Sequence, residues 1–345
     1  CYKKLNMSKK NSSVNLKDGF KDHKDLSLIF VNFKNKLDKL RHKKYVVAVS
    51  GGPDSLALTA LTKAYSFYNK TKFYYILVDH NIRTNSNHEA QKVKNLLKKK
   101  KLNLRIFLNK KKITRNIQAE ARNIRYEILT NFCLKNNVKI LLTAHNLEDQ
   151  VETFLIRLSR GSGLKGLSAM KSTSKINSKM SIHRPLLDIK KKFLIKITKA
   201  FFGKYFKDPS NKNMKYLRTK IRGLKKPLEK SGIKYEQIFR SIQNLSLSKI
   251  TLEKYLNRIF HELVRKINKE ILINFKKYNS LSKDTKIAVL NESIKKLKNN
   301  YYDLRSKKVE NLIKTIEKKD FKKSTLGGCI FFKKGENLCL KIEKH

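Results

Sequence analysis

One loop constrains this chain more than any other stretch: Ser50-Gly51-Gly52-Pro53-Asp54-Ser55. Ahead of it runs Tyr45-Val46-Val47-Ala48-Val49, short, largely β-branched and unbroken by charge. Such a run reads as a strand buried on both faces. Behind it, Leu56-Ala57-Leu58-Thr59-Ala60-Leu61 reads as a helix packed on a sheet. Gly51 and Gly52 let the backbone turn sharply and approach a ligand closely. The first N–H groups of the helix point at that ligand, and the helix dipole favours an anion. The loop therefore reads as a phosphate cradle. It is too short for a Walker A loop and lacks the closing Lys-Ser/Thr pair, and the dinucleotide fingerprint G-x-G-x-x-G is absent.

The pattern repeats after the loop. Phe73 to Val78 reads as a second strand ending in Asp79-His80, Leu102 to Leu108 as a third, and Lys139 to Ala144 as a fourth ending at His145. Helical spacing fills the gaps over 87–101 and 115–136, where Ile117, Ala121, Ile124, Ile128 and Phe132 recur at steps of three and four. Alternating strand and helix implies a doubly wound, Rossmann-like parallel sheet with helices on both faces. Ligands of such sheets sit at the carboxyl ends of the strands. The Ser50 loop, Asp79-His80 and His145 all fall on that edge. A helix over 148–160 ends at Arg160-Gly161-Ser162-Gly163, and a flexible stretch is expected to about Ser181. Order returns at Ile182-His183-Arg184-Pro185-Leu186-Leu187. Asp208-Pro209-Ser210-Asn211 reads as a turn, and Arg218 to Arg222 as part of a basic helix.

Beyond about residue 232 the texture becomes helical and lysine-rich. Leu256, Ile259, Leu263 and Ile267 form one amphipathic series; Ile287, Leu290, Ile294 and Leu297 form another, followed by Leu312, Ile313 and Ile316. Residues 325–342 read as a β-hairpin around Lys334-Gly335-Glu336-Asn337. The expected division is a basic, disordered extension over 1–26, a catalytic α/β domain over 27–231, a helical RNA-binding domain over 232–322 and a terminal hairpin over 323–345. The chain opens on Cys1, so either Met7 is its start or the sequence is a fragment.

Composition narrows the partners. The 345 residues carry 81 Lys plus Arg against 27 Asp plus Glu, a formal net charge of +54. Such a chain binds polyanions through counterion release. Part of the excess matches AT-rich coding bias, since Lys, Asn and Ile abound while Trp is absent. The four cysteines, Cys1, Cys133, Cys329 and Cys339, include no C-x-x-C pair, which suggests neither a zinc nor an iron–sulfur site. No apolar run is long enough to span a membrane. A soluble, cytoplasmic protein is expected.

A second stretch carries chemistry: Thr143-Ala144-His145-Asn146-Leu147-Glu148-Asp149-Gln150-Val151-Glu152-Thr153. Opening a helix here points Asp149 and Glu152, three apart, the same way. A histidine and two carboxylates then face the phosphate loop. With these residues in view, the resemblance becomes specific. Ser-Gly-Gly-x-Asp-Ser after a strand resembles the PP-loop of N-type ATP pyrophosphatases. That loop, Val78-Asp79-His80-Asn81-Ile82-Arg83, Gln118-Ala119-Glu120-Ala121-Arg122 with Arg125-Tyr126, Ala144-His145 through Glu152-Thr153, Arg160 to Gly163, Arg184 to Leu187 and Asp208 to Asn211 together resemble the tRNA(Ile)-lysidine synthase family, over roughly 42–225.

The resemblance implies ligation of free L-lysine to C2 of the wobble cytidine of a CAU-anticodon tRNA(Ile). ATP adenylates the C2 oxygen and releases pyrophosphate; the lysine ε-amine then displaces AMP, which makes the enzyme a ligase forming a carbon–nitrogen bond. It places ATP on Ser50, Gly51, Gly52, Pro53, Asp54 and Ser55, with the nucleoside near Val78, Asp79 and His80. It places lysine recognition and catalysis around His145, Asp149 and Glu152, with Arg218 and Arg222 near the site. Mg²⁺ would assist pyrophosphate departure, and Asp54 fits either a metal or a ribose contact. Asp149 fits either a base or an ammonium anchor. The family usually has paired aspartates where this chain has Glu148-Asp149. A homodimer is left open. The rival readings are a PP-loop tRNA thiolase, which would need cysteines to carry sulfur, and a basic tRNA-binding protein without catalysis.

Overall fold

The structure is a computed structural model describing residues 24–343, apart from 83, 110, 112, 114–115, 208–212 and 299–305. Most of the N-terminal extension, Arg83 and the expected turn over Asp208 to Asn211 lie outside the described residues.

Helix α1 (Lys24–Leu40) precedes a βα alternation: β1 (Lys44–Val49), α2 (Pro53–Tyr65), β2 (Lys72–Asp79), α3 (Ser86–Lys99), β3 (Leu104–Leu108), α4 (Ile117–Lys135), β4 (Ile140–Leu142) and α5 (Leu147–Leu158). Short elements follow: α6 (Leu164–Leu167), β5 (Thr173–Lys175), β6 (Ser181–His183), α7 (Lys191–Phe202), α8 (Leu217–Gly223) and α9 (Lys225–Lys230). The strands form one sheet in the order β3-β2-β1-β4-β6-β5. All neighbours are parallel except β5, which runs antiparallel along β6. The stretch expected to be flexible up to Ser181 thus contains a short helix and an edge strand. Its Ser/Lys-rich sequence hides them, because an edge strand of three residues buries little and needs no apolar run.

Alternation along β1 sends its side chains into two cores. Tyr45, Val47 and Val49 pack with α1, α2, α3 and α7. Val46 packs with Ile76, Leu141 and, from α4, Leu129, Phe132 and Cys133. Both faces are covered, which is why the strand reads as unbroken apolar sequence. From β1 the chain winds outward through β2 to β3, then crosses back to β4 on the other side of β1. That reversal opens a crevice at the carboxyl ends of β1 and β4.

Helix α10 (Tyr235–Leu263) carries the division between two compact units, which falls between Leu245 and Ser246. The second unit holds β7 (Val264–Ile267), β8 (Glu270–Asn274), α11 (Phe275–Asn279), α12 (Lys283–Leu297), α13 (Ser306–Ile316), β9 (Lys323–Leu326), β10 (Cys329–Lys334) and β11 (Asn337–Ile342). The expected terminal hairpin, β10–β11, is there, as part of an antiparallel sheet ordered β7-β8-β11-β10-β9. Ile267 belongs to β7, not to the helical series expected through it. β7 and β8 form a second hairpin, which turns at Asn268, whose φ is +52°. Ile271, Ile273, Phe331, Leu338 and Leu340 of the sheet meet Val289, Leu290, Ile294, Leu312 and Ile316 of the helices in one core. No helix among the described residues is long and apolar enough to cross a membrane.

Candidate active site

The loop after β1 is braced from within. Ser50 N–H donates to Ser55 Oγ at 3.1 Å, and Ser55 Oγ donates to the Gly52 carbonyl at 3.0 Å. Helix α2 then starts with Pro53 and no side-chain cap. Its first-turn donors therefore remain for a ligand. The two glycines serve differently. Gly51 has φ +79°, and a Cβ there would lie 2.5 Å from Val93 Cγ2, so both conformation and space demand glycine. Gly52 has an ordinary φ of −73°, and its Cβ would meet only Ser50 Oγ, at 3.8 Å. Its missing side chain is open cradle.

Asp54 sits one residue into the helix. Burial, reinforced by the neighbouring Asp149 and Glu148 carboxylates and opposed by Lys191, pushes its carboxyl up to about 6. Lys191 Nζ stands 3.8 Å from Oδ2, while Oδ1 is buried with no partner. An unspent carboxylate oxygen beside an uncapped helix start suits Mg²⁺, which takes one or two carboxylates and completes its shell with phosphates and water. No group of three or more acids, His or Cys among the described residues could cage a metal unaided.

Across the crevice, α5 begins with a reciprocal cap. Asp149 N–H donates to Asn146 Oδ1 at 3.0 Å, and Asn146 N–H donates to Asp149 Oδ2 at 3.1 Å. This fixes Asp149 at the helix mouth. One turn on, Glu152 is 4% exposed, and both its oxygens are engaged: Arg218 Nε donates to Oε2 and Arg222 Nε to Oε1, each at 2.7 Å. Arg218 Nη2 also donates to Asp149 Oδ1 at 3.2 Å. Helix α8 sets the two arginines one turn apart, so both reach the same acid. Burial lowers Arg222, yet the Glu152 hydrogen bond and charge hold it above its ordinary value. Glu148 accepts from Lys191 N–H at 2.9 Å. Beside these acids lies a cavity of about 510 Å³ lined by Glu148, Glu152, Lys191, Arg222, Lys225 and Tyr235, among others. Tyr235 is 3% exposed with an unpartnered hydroxyl, and burial next to Glu152 and Glu148 pushes it up to about 12.

The histidines lie in cationic surroundings. Burial, then Arg184, Arg122, Arg218 and Arg125, push His145 down to about 3. Thr143 Oγ1 lies 3.0 Å from its Nδ1. Arg218 is thus common to His145 and both acids. At the end of β2, burial and Arg125 push His80 down to about 4, and Arg125 donates to its Nε2 from Nε at 3.3 Å. The ring proton therefore sits on Nδ1, which is buried and unpartnered. Asp79 accepts from Asn81 N–H at 2.9 Å, and its other oxygen has no partner. Val78 is half-buried in the α4-side core.

The crevice thus brings together Ser50 to Ser55, Asp54, Asp149, Glu152, Arg218 and Arg222, with His145 alongside. Val78, Asp79 and His80 stand one strand away, at the end of β2. Sequence reasoning missed Asn146, Lys191, Lys225 and Tyr235. The Asn146-x-x-Asp149 spacing was a readable capping signature; the others come together only through the tertiary fold.

A PP-loop domain family matches residues 27–227. The tRNA(Ile)-lysidine synthase of Wolbachia pipientis wMel is 34% identical over 321 residues, covering 92% of this chain and 74% of the relative. That of Orientia tsutsugamushi (strain Boryong) is 36% identical over 241 residues, 68% of this chain and 54% of the relative. Among solved structures, the U34-tRNA thiolase NcsA from Methanococcus maripaludis with its [4Fe-4S] cluster is similar at a TM-score of 0.54, with 20% identity over 64% of this chain and 79% of that one. That likeness speaks for the fold alone. The PP-loop family match and the similar relatives agree: the chain belongs to the tRNA(Ile)-lysidine synthase family of enzymes.

Proposed function

We propose that this chain joins free L-lysine to C2 of the wobble cytidine of CAU-anticodon tRNA(Ile) at the crevice between β1 and β4. The observation that carries the reading is the placement of an uncapped anion cradle opposite a ring of carboxylates at one topological reversal. ATP phosphates lie on Ser50 to Ser55, and the nucleoside lies toward Val78, Asp79 and His80. Asp54 Oδ1 would hold Mg²⁺, which would neutralise charge on the departing pyrophosphate.

In the first half-reaction the cytidine C2 oxygen attacks the α-phosphorus and the bond to pyrophosphate breaks. The uncapped amides of α2 receive the leaving charge. In the second, the lysine ε-amine attacks C2, the C2–O bond breaks and AMP leaves with the electron pair. The amine must first lose a proton to a nearby carboxylate. Lysine enters the cavity beside Glu148 and Glu152, which carries both signs of charge, as a zwitterion with a further ammonium needs. Asp149 anchors the ε-ammonium at the helix mouth. Glu152, with both oxygens taken, positions Arg218 and Arg222, which receive carboxylate or phosphate. His145 stays neutral at working pH and donates or accepts without adding charge. The basic second unit supports tRNA binding through counterion release.

The deciding experiment is mass analysis of the wobble nucleoside of tRNA(Ile) after incubation with ATP and lysine. A lysine-sized gain is expected, with AMP and pyrophosphate as the nucleotide products. A sulfur-sized gain, or ADP, would overturn the reading.

A further inference from the structure

Two motifs have no part in the chemistry above: Arg122 with Arg125-Tyr126, and Arg184-Pro185. Arg184, Arg122 and Arg125 all depress the charge of His145. Arg122 and Arg125 lie three apart on exposed positions of α4, hence on one helix face. Arg122 stacks on Tyr126, with Cζ 5.0 Å from the ring centroid. Arg125 contacts His80 through Nε and Nη2, at 3.3 and 3.2 Å. Arg184, just past β6, is 8% exposed; Nη1 donates to the Lys171 carbonyl at 2.8 Å and to Ser174 Oγ at 2.9 Å, while Nε is buried and unpartnered. Arg122 and Arg184 make no ion pair with a carboxylate among the described residues. The acid nearest His80, Asp79, does not offset the burial and the Arg125 charge that depress it. The buried Arg184 guanidinium, with no carboxylate partner, is costly until an anion arrives.

We infer that Arg122, Arg125 and Arg184 form a second phosphate site, which takes a backbone phosphate of the RNA next to the nucleotide being modified. Guanidinium groups are the side chains best matched to phosphate oxygens, and the unpartnered Arg184 Nε adds a donor. The RNA is favoured over ATP by position. The Ser50–Ser55 cradle belongs to α2, which packs on the α3 and α7 side of the sheet, whereas Arg122 and Arg125 ride on α4, which packs on the other. A polyanion on each side would bring the α-phosphorus and the target base together over the sheet edge. The inference rests on the proposed tRNA substrate.

The test uses the whole chain, an unmodified CAU-anticodon tRNA(Ile) transcript and ATP. Arg122→Gln and Arg125→Gln, singly and together, and Arg184→Lys are titrated with tRNA by fluorescence anisotropy across a salt series, and with ATP by calorimetry. Each exposed arginine removed should weaken tRNA binding and flatten the slope of log affinity against log salt by about 1. ATP affinity should stay as in the wild type for Arg122→Gln and Arg184→Lys, which do not contact the residues assigned to the ATP nucleoside; Arg125 contacts His80 and is read on tRNA alone. Weakened ATP binding in Arg122→Gln or Arg184→Lys would assign the arginines to ATP phosphates and overturn the inference, as would an unchanged tRNA slope. If Arg184→Lys fails to fold, the two exposed α4 positions decide the matter alone. A wild type that binds tRNA but forms no lysidine defeats the proposed function, not the phosphate site. A lysidine-forming wild type with unaltered slopes in the variants defeats the phosphate site alone.

Discussion

The Asp149–Glu152–Arg218–Arg222 network and the Arg122–Arg125–Arg184 cluster both stand beside His145, and they balance charge in opposite ways. The first holds two carboxylates and two guanidiniums, with both oxygens of Glu152 bonded at 2.7 Å. The second includes Arg122 and Arg184, whose described neighbours are a ring, carbonyls and hydroxyls. A compensated group is positioned before substrate binds. An uncompensated one gains its partner from the ligand. The comparison teaches that one crevice can hold a compensated network on one side of a histidine and uncompensated guanidiniums, Arg122 and Arg184, on the other.

The largest effect is expected where neither arrangement contributes, in the cradle. Gly52→Val suits the fold, since a Cβ meets only Ser50 Oγ at 3.8 Å and the φ is ordinary. Its branches fill the anion space, so ATP affinity should drop about a hundredfold or more, ~3 kcal/mol. Calorimetry with ATP checks this; unchanged affinity would remove the cradle from the ATP site.

Glu152→Gln sharpens the comparison next. It removes the buried carboxylate that Arg218 and Arg222 share and leaves them only Asp149, at 3.2 and 3.7 Å. Breaking a buried pair costs 3–5 kcal/mol, and since both arginines keep about a third of their side-chain exposure, about 2–3 kcal/mol is expected here. Urea unfolding at neutral pH measures it. A neutral result would mean that solvent already screens this network and that the two regions do not differ.

Asp54→Asn should stabilise while it inactivates. The gap between about 6 and the ordinary 3.8 corresponds to about 3 kcal/mol. With a quarter of the side chain exposed, about 2 kcal/mol survives screening. The sign follows from the raised value. Above pH ~6 the folded protein bears the cost of a buried charge, so the variant gains most there. Between pH ~6 and ~4 folding takes up a proton and the gain shrinks; below ~4 it is gone. Thermal melts across pH trace this window, and a variant less stable at neutral pH would refute it. Asp149→Asn keeps volume and loses charge. It should slow lysine transfer about tenfold, ~1.5 kcal/mol, and spare tRNA-dependent adenylation. Loss of pyrophosphate exchange with lysine affinity intact would instead move Asp149 to the ATP site.

The cradle and the sheet were legible because their signals are local. Apolar β-branched runs, glycine pairs and three-to-four spacing are written within a few residues. Partners across the fold were not. The resemblance put Arg218 and Arg222 near the site, but nothing near Glu152 announces that both bond it, from α8 nearly seventy residues on. The β7–β8 hairpin was hidden because Ile267 continues the steps of Leu256, Ile259 and Leu263, and its turn is Asn268-Lys269, without the glycine that signals a hairpin. Edge strand β5 lacks an apolar face to betray it. Charge balance was invisible too: acids and arginines could be listed, but which acid neutralises which arginine depends on the packing of α5 against α8.

The smallest expected effect is the most diagnostic of the comparison. Arg122→Gln removes a charge from an exposed position of α4 that pairs with no described carboxylate. What it loses is the contact of its guanidinium with the Tyr126 ring, worth about 0.5–1 kcal/mol at exposed sites. What it gains is relief from repulsion by Arg184, whose charged form Arg122 disfavours, and by the cationic surroundings of His145. At an effective dielectric suited to a surface, such like-charge contacts are of similar size. The two terms oppose each other, so unfolding free energy should change by less than about 0.5 kcal/mol, in either direction. Glu152→Gln under the same urea titration supplies the contrast, because there the removed charge was the one holding its neighbours. If Arg122→Gln cost as much as Glu152→Gln, Arg122 would be part of the folded scaffold, and the Arg122 side of the histidine would be no more open to an incoming anion than the Glu152 side.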